Sequence, residues 1–105
     1  MNIKVTDIFK KSFKKLYKKD RYLLDEYETL LKKLQINPTL GTHISDGRYK
    51  IRVQNRSNNK GKSAGYRVIT YTKIENTLLL VYIYSKSDME NIVDKKVDEI
   101  IRNYH

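Results

Sequence analysis

Ile8, Phe9, Phe13, Leu16 and Tyr17 recur among lysines at helical spacing. After a short β-branched opening, Ile3 to Thr6, which suits a first strand, this pattern predicts a helix that buries one stripe. Leu23, Leu24, Tyr27, Leu30, Leu31 and Leu34 repeat the pattern, with Asp20, Asp25 and Glu26 near the start and Lys32 and Lys33 near the end. Those are the signs that a helix dipole favours at each end. Asn37-Pro38 and Gly41 close this second helix. The connection around Lys18 to Arg21 is short enough to force the two helices into an antiparallel hairpin.

Beyond this loop the period changes to 2. Tyr49, Ile51 and Val53 alternate with Lys50, Arg52 and Gln54, giving a strand with one apolar and one basic face. Asn55 to Gly65 is a polar loop, and a second strand runs from Tyr66 to about Lys73. Glu75-Asn76 fits a turn, and Leu78 to Tyr84, apolar throughout, fits a central strand covered on both faces. Ser87 and Glu90 stand at capping-box spacing before a terminal helix with the stripe Val93, Val97, Ile100, Ile101 and Tyr104. The order is strand, two helices, three strands, helix. It defines an α+β fold: an N-terminal strand and helical hairpin packed on an antiparallel sheet, with a C-terminal helix. With no internal repeat, linker or composition break, residues 1–105 read as a single domain.

Charge changes the picture from fold to function. The net charge is +10, and its distribution is uneven: residues 1–35 carry +5, residues 36–74 carry +7 and residues 75–105 carry −2. In the middle segment Asp46 is the only acid, so its cations make a strongly positive surface wherever they converge, and polyanions are the natural partner. Lys10, Lys11, Lys14, Lys15, Lys18 and Lys19 read instead as the wet side of the first helix. The chain has no cysteine, which excludes disulfides, thiolate metal sites and a cysteine nucleophile, and makes a reduced cytoplasm the default. Leu78 to Tyr84 is far short of the roughly 20 residues that span a bilayer. Met1-Asn2-Ile3-Lys4 lacks the apolar stretch of a signal peptide, so no membrane association is expected.

Lys50, Arg52, Arg56, Lys60, Lys62, Arg67 and Lys86 stand on or beside the meander, with Tyr82 and Tyr84 sharing the parity of Lys86. A sheet face of cations and tyrosines suits single-stranded RNA, because cations hold phosphates while rings stack on unpaired bases. Cleavage needs a base for the ribose 2′-hydroxyl, cations on the pentacoordinate phosphorane and an acid for the leaving 5′-oxygen. His43 and His105 read as solvent-exposed, and a magnesium site lacks carboxylates in the basic segment. Lysine and tyrosine remain. A lysine crowded by cations takes a proton more readily near neutrality than an isolated one.

At these positions the chain resembles the RelE/HigB-like toxins of bacterial type II toxin-antitoxin systems, over nearly its whole length. The resemblance rests on Leu34 to Gly41, Tyr49-Lys50-Ile51-Arg52-Val53, Lys60 to Ile69 with its Gly65-Tyr66-Arg67 step, and Ile83-Tyr84-Ser85-Lys86, in the family's order. The lysine-rich loop before Gly65 is most similar to the HigB branch. The resemblance implies a small RelE-like fold and a ribosome-dependent, metal-independent messenger RNA endoribonuclease (an mRNA interferase) that inhibits translation. It further implies two partners, a cognate antitoxin and the ribosome with bound messenger, and no cofactor. Lys50 and Arg52 match the paired strand cations, one a candidate base and the other a phosphate ligand. Arg67 matches the transition-state arginine, and Lys86 the basic position that assists the leaving oxygen. Arg56, Lys60, Lys62 and Tyr82 are candidate RNA contacts. The family's C-terminal tyrosine falls near Ile92 and Val93 in a gapless reading from Lys86, so Tyr84 is the substitute acid. The alternatives are a non-enzymatic ParE-like toxin that binds DNA gyrase and a basic RNA-binding protein without activity. The lysines of the first helix are the expected docking surface for an acidic antitoxin.

Overall fold

The computed structural model describes residues 1–56, 65–89 and 91–104. Lys60, Lys62, Glu90 and His105 lie outside the described residues. The elements in chain order are β1 (Asn2–Val5), α1 (Asp7–Lys19), α2 (Leu23–Ile36), β2 (Thr42–Ser45), β3 (Arg48–Val53), β4 (Tyr66–Ile74), β5 (Thr77–Ser85) and α3 (Asp94–Arg102). The sheet runs β1-β5-β4-β3-β2. The α+β architecture expected from the sequence is present, with β3, β4 and β5 as an antiparallel meander. β1 adds to β5 in parallel, which makes the sheet mixed.

Helices cover both faces. Phe9 of α1 and Leu23, Leu30 and Leu34 of α2 bury against Ile51, Val53, Val68, Leu80 and Ile83. On the opposite face Val97 of α3 packs with Ile69, Leu79, Val81 and Tyr84. A strand buried on two sides cannot alternate, which explains why the run Leu78 to Val81 is apolar without interruption.

Polar groups secure the joints. Thr6 caps α1 by accepting from the Phe9 N–H at 3.0 Å, while its hydroxyl donates to the Val81 carbonyl at 2.7 Å and ties the helix start to β5. Asp20, 3% exposed, joins the helical hairpin to the sheet. Its carboxylate accepts from the Tyr22 N–H at 3.1 Å and from the Tyr66 hydroxyl at 2.8 Å. Asn76 in the β4–β5 turn has φ 51°, a left-handed conformation that asparagine tolerates.

Several details differ from the sequence pattern. Residues 42–45, expected as loop, form the edge strand β2, placing His43 against Tyr49 at 5.3 Å between ring centroids. The strand is short and mostly exposed, so it carries no hydrophobic alternation. Its signal is instead the two-residue Asp46-Gly47 connection to β3, a hairpin dipeptide. The Ser87–Glu90 capping box does not start α3, which begins at Asp94. The Ser85 carbonyl is taken by the N–H groups of Asp88 and Met89, closing a single turn, and the Ser87 hydroxyl meets that of Ser85 at 2.8 Å. Consequently Val93 precedes the helix, 68% exposed, and is not part of the buried stripe. Leu24 is 40% exposed, because the buried face of α2 follows Leu23, Leu30 and Leu34.

Tyr66→Phe removes the hydroxyl that Asp20 accepts from, and a hydrogen bond to a charged group is worth about 1.5–3 kcal/mol. Urea unfolding of this variant is expected to show a loss of that order, and unchanged stability would mean that the joint contributes nothing.

Candidate functional site

Strand register brings the predicted cations together. Arg52 stands directly opposite Arg67, and Arg67 directly opposite Tyr84, so one row crosses three strands. Lys50, Ile69 and Tyr82 form the adjacent row on the same face. Cross-strand partners have Cβ atoms about 4.5–5.5 Å apart, and like charges directly opposite are destabilising. The Arg52–Arg67 pairing is therefore tolerated against an energetic cost. Arg67 is 5% exposed, and one guanidinium nitrogen donates to the Tyr66 carbonyl at 3.1 Å. Burial and then the positive charge of Arg52 lower its pKa, opposed by Tyr84.

Three other cations of the basic segment are paired with acids. Arg48 pairs with Asp98 of α3, Arg56 with Glu26 of α2 at 2.9 Å, and Lys73 with Asp46 at 3.4 Å. Among the described residues neither Lys50 nor Arg52 forms an ion pair with an acid. Arg56, a candidate RNA contact, reaches the helical hairpin, with its guanidinium 5.6 Å from the Tyr22 ring centre. Arg48, Arg56 and Lys73 thus form a paired set, set apart from the Lys50–Arg52 strand face.

Gly65 sets the start of β4. A Cβ added there would lie 2.1 Å from the Val53 carbonyl oxygen, so only glycine lets the chain come so close to the end of β3. Its carbonyl accepts from the Lys86 N–H at 2.8 Å, which fixes the half-buried Lys86 beside the Arg67–Tyr84 row. Tyr82 and Tyr84 stack with ring centres 6.1 Å apart.

The C-terminal segment crosses the same face. Lys50 Nζ donates to Asn91 Oδ1 at 3.0 Å, a contact the sequence pattern does not reveal. A cavity of about 370 Å³ opens beside Lys50, walled by Ile44, Ile69, Ile92 and Val97. The Tyr84 hydroxyl is buried without a hydrogen-bond partner among the described residues. Burial raises its pKa, opposed by the nearby Ile92 backbone and by Arg67. The Ile92 backbone lies near the hydroxyl without meeting hydrogen-bonding geometry. In this conformation the hydroxyl is covered. The lysines of α1 are all exposed, at the positions the helical period assigns to them.

What the fold and this face define is a small α+β protein with a cationic meander, one helical hairpin and a C-terminal helix laid beside the cations. The family model described as the RelE toxin of the RelE/RelB toxin-antitoxin system matches residues 1–103. The chain therefore belongs to the RelE toxin family, as a toxin of a toxin-antitoxin system with a cognate antitoxin. No curated protein matches it at a significant level. No helix among the described residues is long and apolar enough to cross a membrane.

Burial raises the pKa of Tyr27, Tyr66 and Tyr84 above the ordinary value of 10.0, and for Tyr66 the bond to Asp20 adds to it. Above pH 10 the unfolded chain releases protons that the folded chain retains. The stability these groups contribute is complete below that pH and is lost as pH rises through the higher folded values. Denaturant unfolding followed from pH 8 to 12 is expected to show this alkaline loss. Tyr84→Phe deletes a buried hydroxyl that has no hydrogen-bond partner among the described residues, so its unfolding midpoint at neutral pH should equal or exceed that of the wild type; a marked loss would reveal a structural role for the hydroxyl.

Proposed function

We propose that this toxin is a ribosome-dependent, metal-independent messenger RNA endoribonuclease of the cytoplasm, in the manner of the HigB branch. The observation that carries the reading is the Lys50–Arg52 strand face, which has no acid partner among the described residues and whose Arg52 stands directly opposite Arg67. A protein gains nothing structurally from two arginines in register, whereas an anionic phosphate between them turns the repulsion into attraction.

The chemistry follows from the placement. Lys50 takes the proton of the ribose 2′-hydroxyl, and the oxygen attacks the adjacent phosphorus. Arg52 holds a non-bridging oxygen, and Arg67, fixed by its bond to the Tyr66 carbonyl, meets the charge that grows on the phosphorane. The bond from phosphorus to the 5′-oxygen then breaks, leaving a 2′,3′-cyclic phosphate and a 5′-hydroxyl. Lys86 is placed beside the row and delivers the proton to the leaving oxygen. Tyr84 fills that role only when the segment Asn91–Ile92 lifts from it, because its hydroxyl is sealed. Tyr82, half-buried and stacked on Tyr84, offers a ring edge to an unpaired base. Positioning supplies much of the rate, so the ribosome, which presents the messenger in a fixed conformation, completes a site that is weak alone.

Arg67→Ala is expected to lower cleavage of messenger on programmed ribosomes by about 10²–10³-fold, the usual cost of losing one group aimed at a developing oxyanion. Arg67→Lys, with folding checked by circular dichroism, separates this from loss of packing: it keeps the charge, loses the bidentate fork and should remain impaired. Near wild-type cleavage by Arg67→Ala removes Arg67 from the site, and near wild-type cleavage by Arg67→Lys alone means that its charge suffices without the fork. In the same assay Lys86→Ala should be more damaging than Tyr84→Phe; the reverse order would mean that Tyr84 becomes uncovered in the complex and is the acid.

Association with ribosomes should weaken steeply and log-linearly with salt, because cations that neutralise phosphates release counterions. An affinity that is flat in salt would contradict an RNA-facing cationic site.

A further inference from the structure

The chain between β5 and α3 places one polar side chain on the candidate base. Asn91 Oδ1 accepts from Lys50 Nζ at 3.0 Å. An ammonium head group has only donors, so in that form it is the oxygen of the amide that faces it. The next residue, Ile92, leans on Tyr84, and α3 is fastened to the same strand by the Arg48–Asp98 ion pair and to the core by Val97. The contact is therefore held from both sides.

The surroundings of Lys50 make the neutrality of Asn91 meaningful. Along β3, Arg48 and Arg52 share its face, and β4 supplies Arg67 in the next row beside the uncharged Ile69. From β2 the opposite residue is Thr42, and on β5 the row ends at Tyr82. From α3, Asp98 is occupied by Arg48, while Asp94 lines the cavity that Lys50 also lines. In this mostly cationic setting a carboxylate at position 91 would hold the ammonium form, and an aliphatic residue would release a flexible four-carbon stem. A neutral amide does neither.

We propose that Asn91 is a positioning residue for Lys50. It pins one N–H of the amine, so that the lone pair of the deprotonated form is directed to the open side of the cation row. This rests on the reading of Lys50 as base. It goes further by assigning a role to a residue that touches no substrate.

The test uses the full chain in two measurements. The first is the pH dependence of cleavage on programmed ribosomes for wild type, Asn91→Asp, Asn91→Ala, Asn91→Gln and Lys50→Ala. Asn91→Asp is expected to move the ascending limb to higher pH by about half a unit or more, since a partly solvated carboxylate raises a neighbouring lysine less than a buried one does. Asn91→Ala should lower kcat several-fold with KM unchanged, and Asn91→Gln should restore part of that loss. The second measurement needs no activity: the pH dependence of Lys50 labelling by an amine-reactive reagent, read by peptide mass spectrometry on the free protein. Asn91→Asp should shift it upward in parallel. A labelling curve unmoved by Asn91→Asp overturns the role of Asn91. An unmoved limb with Lys50→Ala inactive overturns it too, while leaving Lys50 as base. Full cleavage by Lys50→Ala instead overturns the reading of the base itself.

Discussion

The register of β3 against β4 is the constraint on which the rest of this molecule depends. Ile51 opposite Val68 and Val53 opposite Tyr66 bury their side chains under the helical hairpin, and the intervening positions put Lys50 and Arg52 on the other face. A slip of one residue would drive both cations into the apolar core and expose Ile51 and Val53 to water, at the cost of burying unpaired charge. The apolar side of the sheet thereby enforces the Arg52–Arg67 opposition on its far side. Hydrophobic burial provides the free energy that holds two like charges in register.

The far side is not simply open. α3 and the residues before it lie over the same face as the cations, so Tyr84 is part of the second core and of the cation row at once. Arg67 is likewise nearly buried, which restricts its rotamers and gives the guanidinium a fixed direction. Preorganisation of this kind lowers the cost of ordering charged groups around a phosphate. The paired cations serve other ends: Arg48 anchors α3 and Arg56 anchors the end of β3 to α2.

The helical hairpin, the meander and the cationic strand were legible in the sequence because each rests on a periodicity that burial imposes. Leu30 and Leu34 recur at helical spacing, and Ile51 and Val53 alternate with Lys50 and Arg52. β2 was not legible by that route, since an exposed edge strand buries too little to pattern its residues, and only Asp46-Gly47 marks it. The start of α3 was misplaced because Ser87 and Glu90 satisfy a local spacing rule, whereas the Ser85 carbonyl captures the following N–H groups in a turn. Among the site residues, Lys50, Arg52 and Arg67 converge as their spacing suggested. The pairing of Arg56 with Glu26, the sealing of Tyr84 and the contact of Asn91 with Lys50 are tertiary events, and their partners lie 30, 8 and 41 residues away in sequence.

The Asp20 joint has a consequence for how the protein comes apart. One carboxylate accepts from the backbone at the hairpin connection and from the first side chain of β4, the residue next to Arg67. Separating the hairpin from the sheet would strip the carboxylate of its Tyr66 partner as it exposed Phe9, Leu23 and Leu34. The connection between the helices, a surface loop by its place in the chain, therefore belongs to the same cooperative unfolding unit as the central strand. Opening at this turn thus costs the hydrogen bonds that tie it to the strand beneath the cation row.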